Sequence, residues 1–99
     1  DGSIEDVTGL GDIAAKYRAF GWNVVEIDGN NISEIKRCFD QLPPVTFDVP
    51  TVIVAHTIKG CGVEYMQNEV RWHAGKITDE QLKESVESLY EAYDRRWNI

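Results

Sequence analysis

Residues 51–58 read Thr-Val-Ile-Val-Ala-His-Thr-Ile, a run that is apolar almost without interruption. An exposed or half-exposed strand alternates apolar and polar residues, whereas a parallel strand covered by helices on both faces is apolar nearly throughout. The stretch therefore predicts a core strand over Thr51–Ile58 in an α/β fold.

A second strand is predicted upstream of this one. Residues 23–28 read Asn-Val-Val-Glu-Ile-Asp, a run rich in β-branched residues that ends at the turn-forming pair Gly29-Asn30. Before it, apolar residues at helical spacing predict a short helix over residues 11–20, with Gly21 as its end.

Between the two strands, the sequence predicts a helix that begins at Asn31. Its side chain is suited to cap the helix while Glu34 reaches back, as in a capping box, and Pro43-Pro44 ends the helix. The residues predicted to form its buried stripe are Ile32, Ile35, Phe39 and Leu42.

The last forty residues divide into an irregular segment and a helix. Residues 59–76 show no periodicity and contain three glycines, so we expect a long loop of the kind that often binds a ligand. Thr78 and Gln81 form a second capping box. The helix that follows carries a broad apolar stripe made of Leu82, Val86, Leu89, Tyr90, Tyr93 and Trp97.

This order of elements predicts a fragment of a doubly wound parallel sheet, a three-layer α/β/α arrangement in the parent domain. Two strands alone are too few for a stable open sheet. The strand faces and the stripe of the last helix therefore require partners, which predicts other chains or further domain parts and an oligomer rather than a stable monomer.

Composition and charge exclude several classes of protein. The chain has 99 residues, 42% of them apolar and 27% charged, which fits one small folded domain. The formal net charge is -7 and the sequence contains no run of basic residues, so we expect no nucleic-acid partner. A membrane-spanning stretch and a signal peptide are both missing, which predicts a cytoplasmic protein with Cys38 and Cys61 as free thiols.

Two blocks of sequence resemble the transketolase family. Residues 17–30, YRAFGWNVVEIDGN, are similar to that family's afGW-V-eiDGn segment, and residues 50–63, PTVIVAHTIKGCGV, are similar to its PT-II-A-T-KGKGV strand and loop. Trp72-His73 is similar to its WHG element. The resemblance implies that residues 1–99 are the C-terminal part of a pyrophosphate-binding domain.

The same resemblance implies an activity and a cofactor. The family transfers a two-carbon ketol unit between sugar phosphates, using thiamine diphosphate and Mg²⁺ held between subunits. Its metal-binding motif, Gly-Asp-Gly followed by a distant Asn, would lie upstream of Asp1-Gly2. We therefore expect the chain alone to bind neither thiamine diphosphate nor Mg²⁺ tightly, and other chains to supply the rest of the site.

Four candidate site residues follow from the resemblance. The family histidine that matches His73 lies near the cofactor diphosphate and the substrate, so His73 is the candidate catalytic and cofactor-binding residue. Lys59, Gly60 and Gly62 are the other candidate cofactor-binding residues, because glycines let backbone N–H groups approach an anion and Lys59 adds positive charge. Two departures from the family pattern are Ala74 after His73 and Cys61 between the glycines.

Alternatives remain open for both the sites and the function. His56 lies at the end of the core strand, where open α/β sheets hold their ligands, although a neutral core histidine is the favoured interpretation. A zinc site formed by His56 and His73 is rejected because no cysteine or carboxylate spacing supports it. The chain is also compatible with a part of a deoxyxylulose-phosphate-synthase-like enzyme, or with a scaffold or regulatory subunit that retains the fold without catalysis.

Overall fold

The computed structural model describes residues 2–4 and 9–97, with the side chains of Arg96 and Trp97 outside the described part. Its elements are helix α1 (Ile13–Ala19), strand β1 (Asn23–Asp28), helix α2 (Ile32–Asp40), strand β2 (Thr51–His56), two 3-10 helices (Glu64–Met66 and Val70–His73) and helix α3 (Asp79–Trp97). The predicted α/β fold and element order are confirmed. The chain divides into two compact units, residues 4–57 and residues 58–99 with residues 1–3.

The sheet of the first unit consists of β1 and β2, which pair in parallel. The register places Asn23 beside Thr51 and Asp28 beside His56, so both strands end at the same edge. The strand β2 ends at His56, two residues before the predicted end at Ile58. The parallel pairing is as predicted, but none of the residues of β2 is buried, so the expectation of a core strand covered on both faces is wrong for the described part of this chain.

A tight turn follows β1, and it depends on Gly29. The Gly29 N–H donates to the His56 carbonyl oxygen at 2.7 Å and thereby continues the pairing of the two strands. A β-carbon at this position would lie 2.7 Å from Thr57 Cγ2 and 2.9 Å from Ala55 Cβ. Only glycine allows the two segments to approach so closely.

The start of α2 differs from the predicted capping box in one bond. The Asn31 side chain accepts from the Glu34 N–H at 3.1 Å, as predicted. The Glu34 carboxylate, however, accepts from the Asp28 N–H at 3.0 Å. The turn explains this difference, because it brings the end of β1 within reach of the helix.

The helix α1 is short and bounded at both ends. The Asp12 carboxylate caps it by accepting from the Ala15 N–H at 3.0 Å. Gly21, with a φ of +87°, ends it as predicted, and its N–H donates to the Arg18 carbonyl oxygen. Ala14 on this helix is buried and contributes to the small core of the unit together with Ile27 and Cys38.

The prediction that α2 buries its apolar stripe holds in part: Ile35 and Leu42 are half-buried, but Ile32 and Phe39 are not buried. Ile32 is 71% exposed and Phe39 is 59% exposed, whereas Cys38 is buried. The reason is geometric: in the described part of the chain, α2 packs on one two-stranded sheet, which covers only a narrow side of the helix. The stripe of α3 is exposed as well, although the side chain of Trp97 lies outside the described part.

In the second unit, residues 59–76 are more ordered than an irregular loop. The two 3-10 helices lie within this segment, and the Asn68 N–H donates to the Lys59 carbonyl oxygen at 3.0 Å. The capping box of α3 is confirmed, because Thr78 Oγ1 accepts from the Gln81 N–H at 3.0 Å and Gln81 Oε1 accepts from the Thr78 N–H at 2.9 Å.

Two further features bear on the class of protein. Among the described residues, no helix is both long enough and apolar enough to span a membrane. Cys38 is buried, Cys61 is exposed, and both are free thiols as predicted.

Candidate functional site

All four candidate residues lie in the second unit, on or just after a loop that closes on itself. Lys59 opens this loop, and its carbonyl oxygen accepts from the N–H of Asn68, which adopts a left-handed φ of +60°. The chain therefore returns to Lys59 five residues before His73. We call residues 59–68 the closed loop.

Three backbone N–H groups at the glycines of the closed loop are engaged within the loop and its flanks. The Cys61 N–H donates to the Ile58 carbonyl oxygen at 3.1 Å, and the Val63 N–H donates to that of Gly60 at 3.1 Å. The Gly62 N–H donates to the Gln67 side-chain oxygen at 3.1 Å. These three groups are thus not directed at an anion in this conformation.

Steric fit explains why glycine occupies positions 60 and 62. A β-carbon on Gly60, whose φ is +70°, would lie 2.7 Å from the Met66 carbonyl oxygen. A β-carbon on Gly62, whose φ is +95°, would lie 2.9 Å from Leu89 Cδ2. Both glycines therefore shape the loop, independently of any bond to a ligand.

The two candidate side chains are exposed and unpaired. Within the described part of the chain, neither the Lys59 ammonium group nor the His73 imidazole forms a hydrogen bond or an ion pair. Cys61, in the same loop, is also exposed. An exposed ammonium group and an exposed imidazole are suited to bind phosphate oxygens, and the imidazole is also suited to move a proton.

The residue before His73 is held by aromatic contacts. The Trp72 ring packs edge to face against Tyr65 with 5.4 Å between the ring centroids, and the Arg71 guanidinium lies 4.8 Å from the centre of the Trp72 ring. The indole N–H of Trp72 is buried without a hydrogen-bond partner in the described structure. Packing, rather than hydrogen bonding, thus fixes the indole.

Sequence reasoning missed the face of α3 that contacts the closed loop. Gln81, Ser85 and Ser88 follow one another at helical spacing on this face. The Tyr65 hydroxyl donates to the Gln81 carbonyl oxygen at 3.2 Å and also bonds to Ser85 Oγ, while the Ser88 hydroxyl donates to the Gly62 carbonyl oxygen at 3.4 Å. The sequence signal for this face is the set of uncharged polar residues at positions i, i+4 and i+7 of the helix.

A separate polar cluster lies at the strand ends of the first unit. Glu26 Oε1 accepts from His56 Nε2 at 3.1 Å, and Glu26 Oε2 accepts from the Arg18 guanidinium at 3.1 Å. Both bonds favour the ionised carboxylate and hold the pKa of Glu26 below its usual value. The bond with His56 is the largest cause, and the bond with Arg18 is the second. The cluster joins α1 to both strands.

The interpretation of His56 as a core histidine is wrong. Its side chain is 66% exposed, and it lines the rim of a cleft of about 510 Å³ that also includes Glu26 and residues 11–14. The last residue of a strand lies at the edge of the sheet, where nothing in the described part of this unit covers it. Among the described residues, no cluster of three or more histidine, cysteine, aspartate or glutamate side chains is placed to hold a metal ion.

Comparison with known proteins adds to this geometry. The model of the transketolase thiamine diphosphate binding domain family matches residues 1–96. An apulose-4-phosphate transketolase subunit of Phocaeicola vulgatus is 35% identical over 94 residues, which are 95% of this chain and 33% of the relative. The 6-deoxy-6-sulfo-D-fructose transketolase subunit SqwG of a Clostridium species is 35% identical over 89 residues, which are 90% of this chain and 32% of the relative.

Human transketolase is a more distant relative. It is 28% identical over 75 residues, which are 76% of this chain and 11% of the human protein. The chain spans about a third of the length of the two bacterial relatives.

Proposed function

The chain belongs to the transketolase thiamine diphosphate binding domain family, and from this premise we propose that it is the C-terminal part of that domain in a transketolase-like enzyme. The enzyme transfers a two-carbon ketol unit between sugar phosphates. Residues 59–73 form part of the wall on the diphosphate side of the site. The observation that carries this assignment is that Lys59 and His73, both similar to family motifs, are exposed in one compact unit and have no hydrogen bond or ion pair among the described residues.

Lys59 and His73 have separate tasks in this proposal. The Lys59 ammonium group attracts the diphosphate or a substrate phosphate, and because its exposure keeps it solvated, its contribution depends on salt. The His73 imidazole donates a hydrogen bond to a phosphate oxygen or transfers a proton at the reacting end of the sugar. Gly60 and Gly62 allow the tight closed loop that carries Lys59.

The residues present fit one side of the cofactor. When bound, thiamine diphosphate supplies the carbanion chemistry that a protein side chain cannot provide. Lys59 and His73 are suited to its anionic end, whereas the carboxylate and amide ligands that Mg²⁺ prefers belong to the family's Gly-Asp-Gly and Asn motif. In the proposed enzyme, that motif comes from protein outside residues 1–99.

The names of the relatives favour a partner chain and an anionic sugar. Both bacterial relatives are named as subunits of a transketolase. The substrates in their names carry a phosphate group and a sulfo group, respectively. We therefore propose an assembly with at least one further chain and a sugar substrate with an anionic terminus, for which Lys59 is a suitable contact. A cytoplasmic location stays a prediction.

The proposal is tested with the enzyme isolated together with whatever chain copurifies with this one. With thiamine diphosphate, Mg²⁺, a phosphorylated ketose donor and an aldose acceptor, we expect transfer of two carbons, measured as the new ketose. Lys59→Ala should raise the apparent dissociation constant of thiamine diphosphate roughly tenfold, as expected for one lost charge-assisted contact. Lys76→Ala, which removes another exposed lysine of the same unit, is the matched control.

His73→Ala in the same assembly should lower turnover more than it lowers folding stability, because His73 is an exposed loop residue. Assembly without ketol transfer and without thiamine diphosphate binding would refute the enzymatic proposal. Equal effects of Lys59→Ala and Lys76→Ala would remove Lys59 from the site and leave the family assignment unchanged.

A further inference from the structure

The placement of His73 poses a physical problem for the proposed function. Its imidazole has no hydrogen bond or ion pair among the described residues, so no side-chain contact of that kind fixes its direction. Its position depends on the backbone of the short 3-10 helix Val70–His73. Such a turn is too short to hold its own geometry and needs support from its neighbours.

The support comes from Trp72, which is part of the same turn. The backbone N–H of Trp72 donates to the Glu69 carbonyl oxygen at 3.2 Å, and the indole ring packs edge to face against Tyr65. Because the indole N–H has no acceptor in the described structure, the orientation of Trp72 depends on contacts of its ring, namely the edge of Tyr65 and the guanidinium of Arg71. A shift of Tyr65 should therefore shift Trp72.

Tyr65 is in turn fixed to α3 by its hydroxyl group. The hydroxyl donates to the Gln81 carbonyl oxygen at 3.2 Å and bonds to Ser85 Oγ, which lies 2.7 Å from the same carbonyl oxygen. Ser85 is 8% exposed, although its helix leaves its large apolar side chains exposed. A part-buried hydroxyl pair permits fewer geometries than an apolar contact of the same size.

We propose that Tyr65 and Ser85 are positioning residues, which fix the Trp72 indole through the Tyr65 ring and thereby set the place of the His73 imidazole for the reaction. This inference rests on the proposed function of His73 and adds residues to it that neither the family motifs nor the sequence patterns indicated. Tyr65 and Ser85 act through Trp72 and the backbone, without contact to cofactor or substrate.

The test is a double-mutant cycle in the assembled enzyme. Tyr65→Phe retains the ring and removes the hydroxyl, and we expect it to lower kcat by roughly tenfold, since a small misplacement of a catalytic group is costly. In the His73→Ala background, the same substitution should change kcat less than about twofold, because the group that Tyr65 positions is already missing. Tyr90→Phe, at an exposed position on α3, should leave kcat within about twofold of wild type.

A spectroscopic measurement accompanies the kinetics. The chain contains two histidines, so the ring signals of His73 and His56 can be assigned from single substitutions. Tyr65→Phe and Ser85→Ala should shift or broaden the His73 ring signal, while the His56 signal, from the other compact unit, stays in place.

The possible outcomes separate the inference from the proposal on which it rests. If His73→Ala leaves turnover unchanged with assembly intact, the proposed role of His73 fails, and the positioning role fails with it. If His73→Ala lowers turnover but Tyr65→Phe lowers it equally in both backgrounds, the proposed function survives and the positioning role is refuted. Ser85→Ala repeats the cycle if Tyr65→Phe does not assemble, and failure of both to assemble would make the pair structural and refute the inference.

Discussion

Substitution of Gly60 by alanine gives a direct test of the closed loop. Two costs are expected. A left-handed φ of +70° costs an L-residue about 1–2 kcal/mol. The new β-carbon would also lie 2.7 Å from the Met66 carbonyl oxygen, an overlap with backbone that a side-chain rotation cannot relieve, and overpacking of this kind costs about 1–3 kcal/mol. We therefore expect Gly60→Ala to destabilise the second unit by about 2–5 kcal/mol in total.

Two other glycines provide matched controls. Gly21 has a φ of +87°, but a β-carbon there would meet nothing within 4 Å, so Gly21→Ala should cost only the conformational part, about 1–2 kcal/mol. A β-carbon on Gly75 would find its nearest atom at 3.6 Å in Trp72, an ordinary contact distance. Gly75→Ala should therefore change the free energy of unfolding by no more than about 0.5 kcal/mol.

The assay is hydrogen exchange followed by mass spectrometry, because it reports each compact unit separately. Gly60→Ala should speed exchange in peptides from residues 59–76 and leave the strands of the first unit protected. Gly21→Ala should show the reverse pattern with a smaller amplitude. If Gly60→Ala and Gly75→Ala had the same effect, the close approach of Gly60 to Met66 would not exist in solution, and the closed loop would have to be abandoned.

The remaining predictions concern pH, cofactor and assembly. Because the folded-state pKa of Glu26 lies below its usual value of 4.5, the stabilisation from Glu26 is complete above that pH and is lost as the pH falls through the lowered value. The thermal midpoint of Glu26→Gln should thus vary less with pH on the acid side than that of wild type, and parallel curves would contradict this. Calorimetric titration of the lone chain should detect weak or no binding of thiamine diphosphate with Mg²⁺, and one tight site would refute the expectation. Sedimentation at micromolar concentration should show self-association or a bound partner, whereas a compact monomer with cooperative unfolding would count against it.

The local rules that predicted the strands and turns use neighbouring residues alone. Both predicted strands are present, at the apolar run of residues 51–56 and the β-branched run of residues 23–28, and they pair in parallel. The Thr78 and Gln81 capping box formed both of its bonds, since its partners are three residues apart. Such features can be predicted from the sequence because the interactions that stabilise them join residues of one helical turn or one strand.

The features that the sequence did not reveal depend on residues that are distant along the chain. His56 pairs with Glu26 across the sheet, and this contact follows only when the strand register is known. Tyr65 bonds to Ser85 on a helix that begins fourteen residues further along the chain. Likewise, the glycine pattern at Gly60 and Gly62 predicted free backbone N–H groups, whereas the side chain of Gln67 accepts from one of them.

The exposed stripe on α2 also depends on residues that the sequence pattern does not identify, and this has a consequence for stability. Periodicity correctly placed Ile32 and Phe39 on the apolar face of the helix, but it does not say which surface covers that face, and here they are 71% and 59% exposed. Full burial of such a side chain contributes about 1.5–3 kcal/mol, so a large part of this stabilisation is not realised in the chain by itself. For a protein whose total stability is about 5–15 kcal/mol, this deficit is substantial. A protein surface that covers Ile32 and Phe39 would recover it, so binding of the partner chain of the proposed enzyme should stabilise the chain.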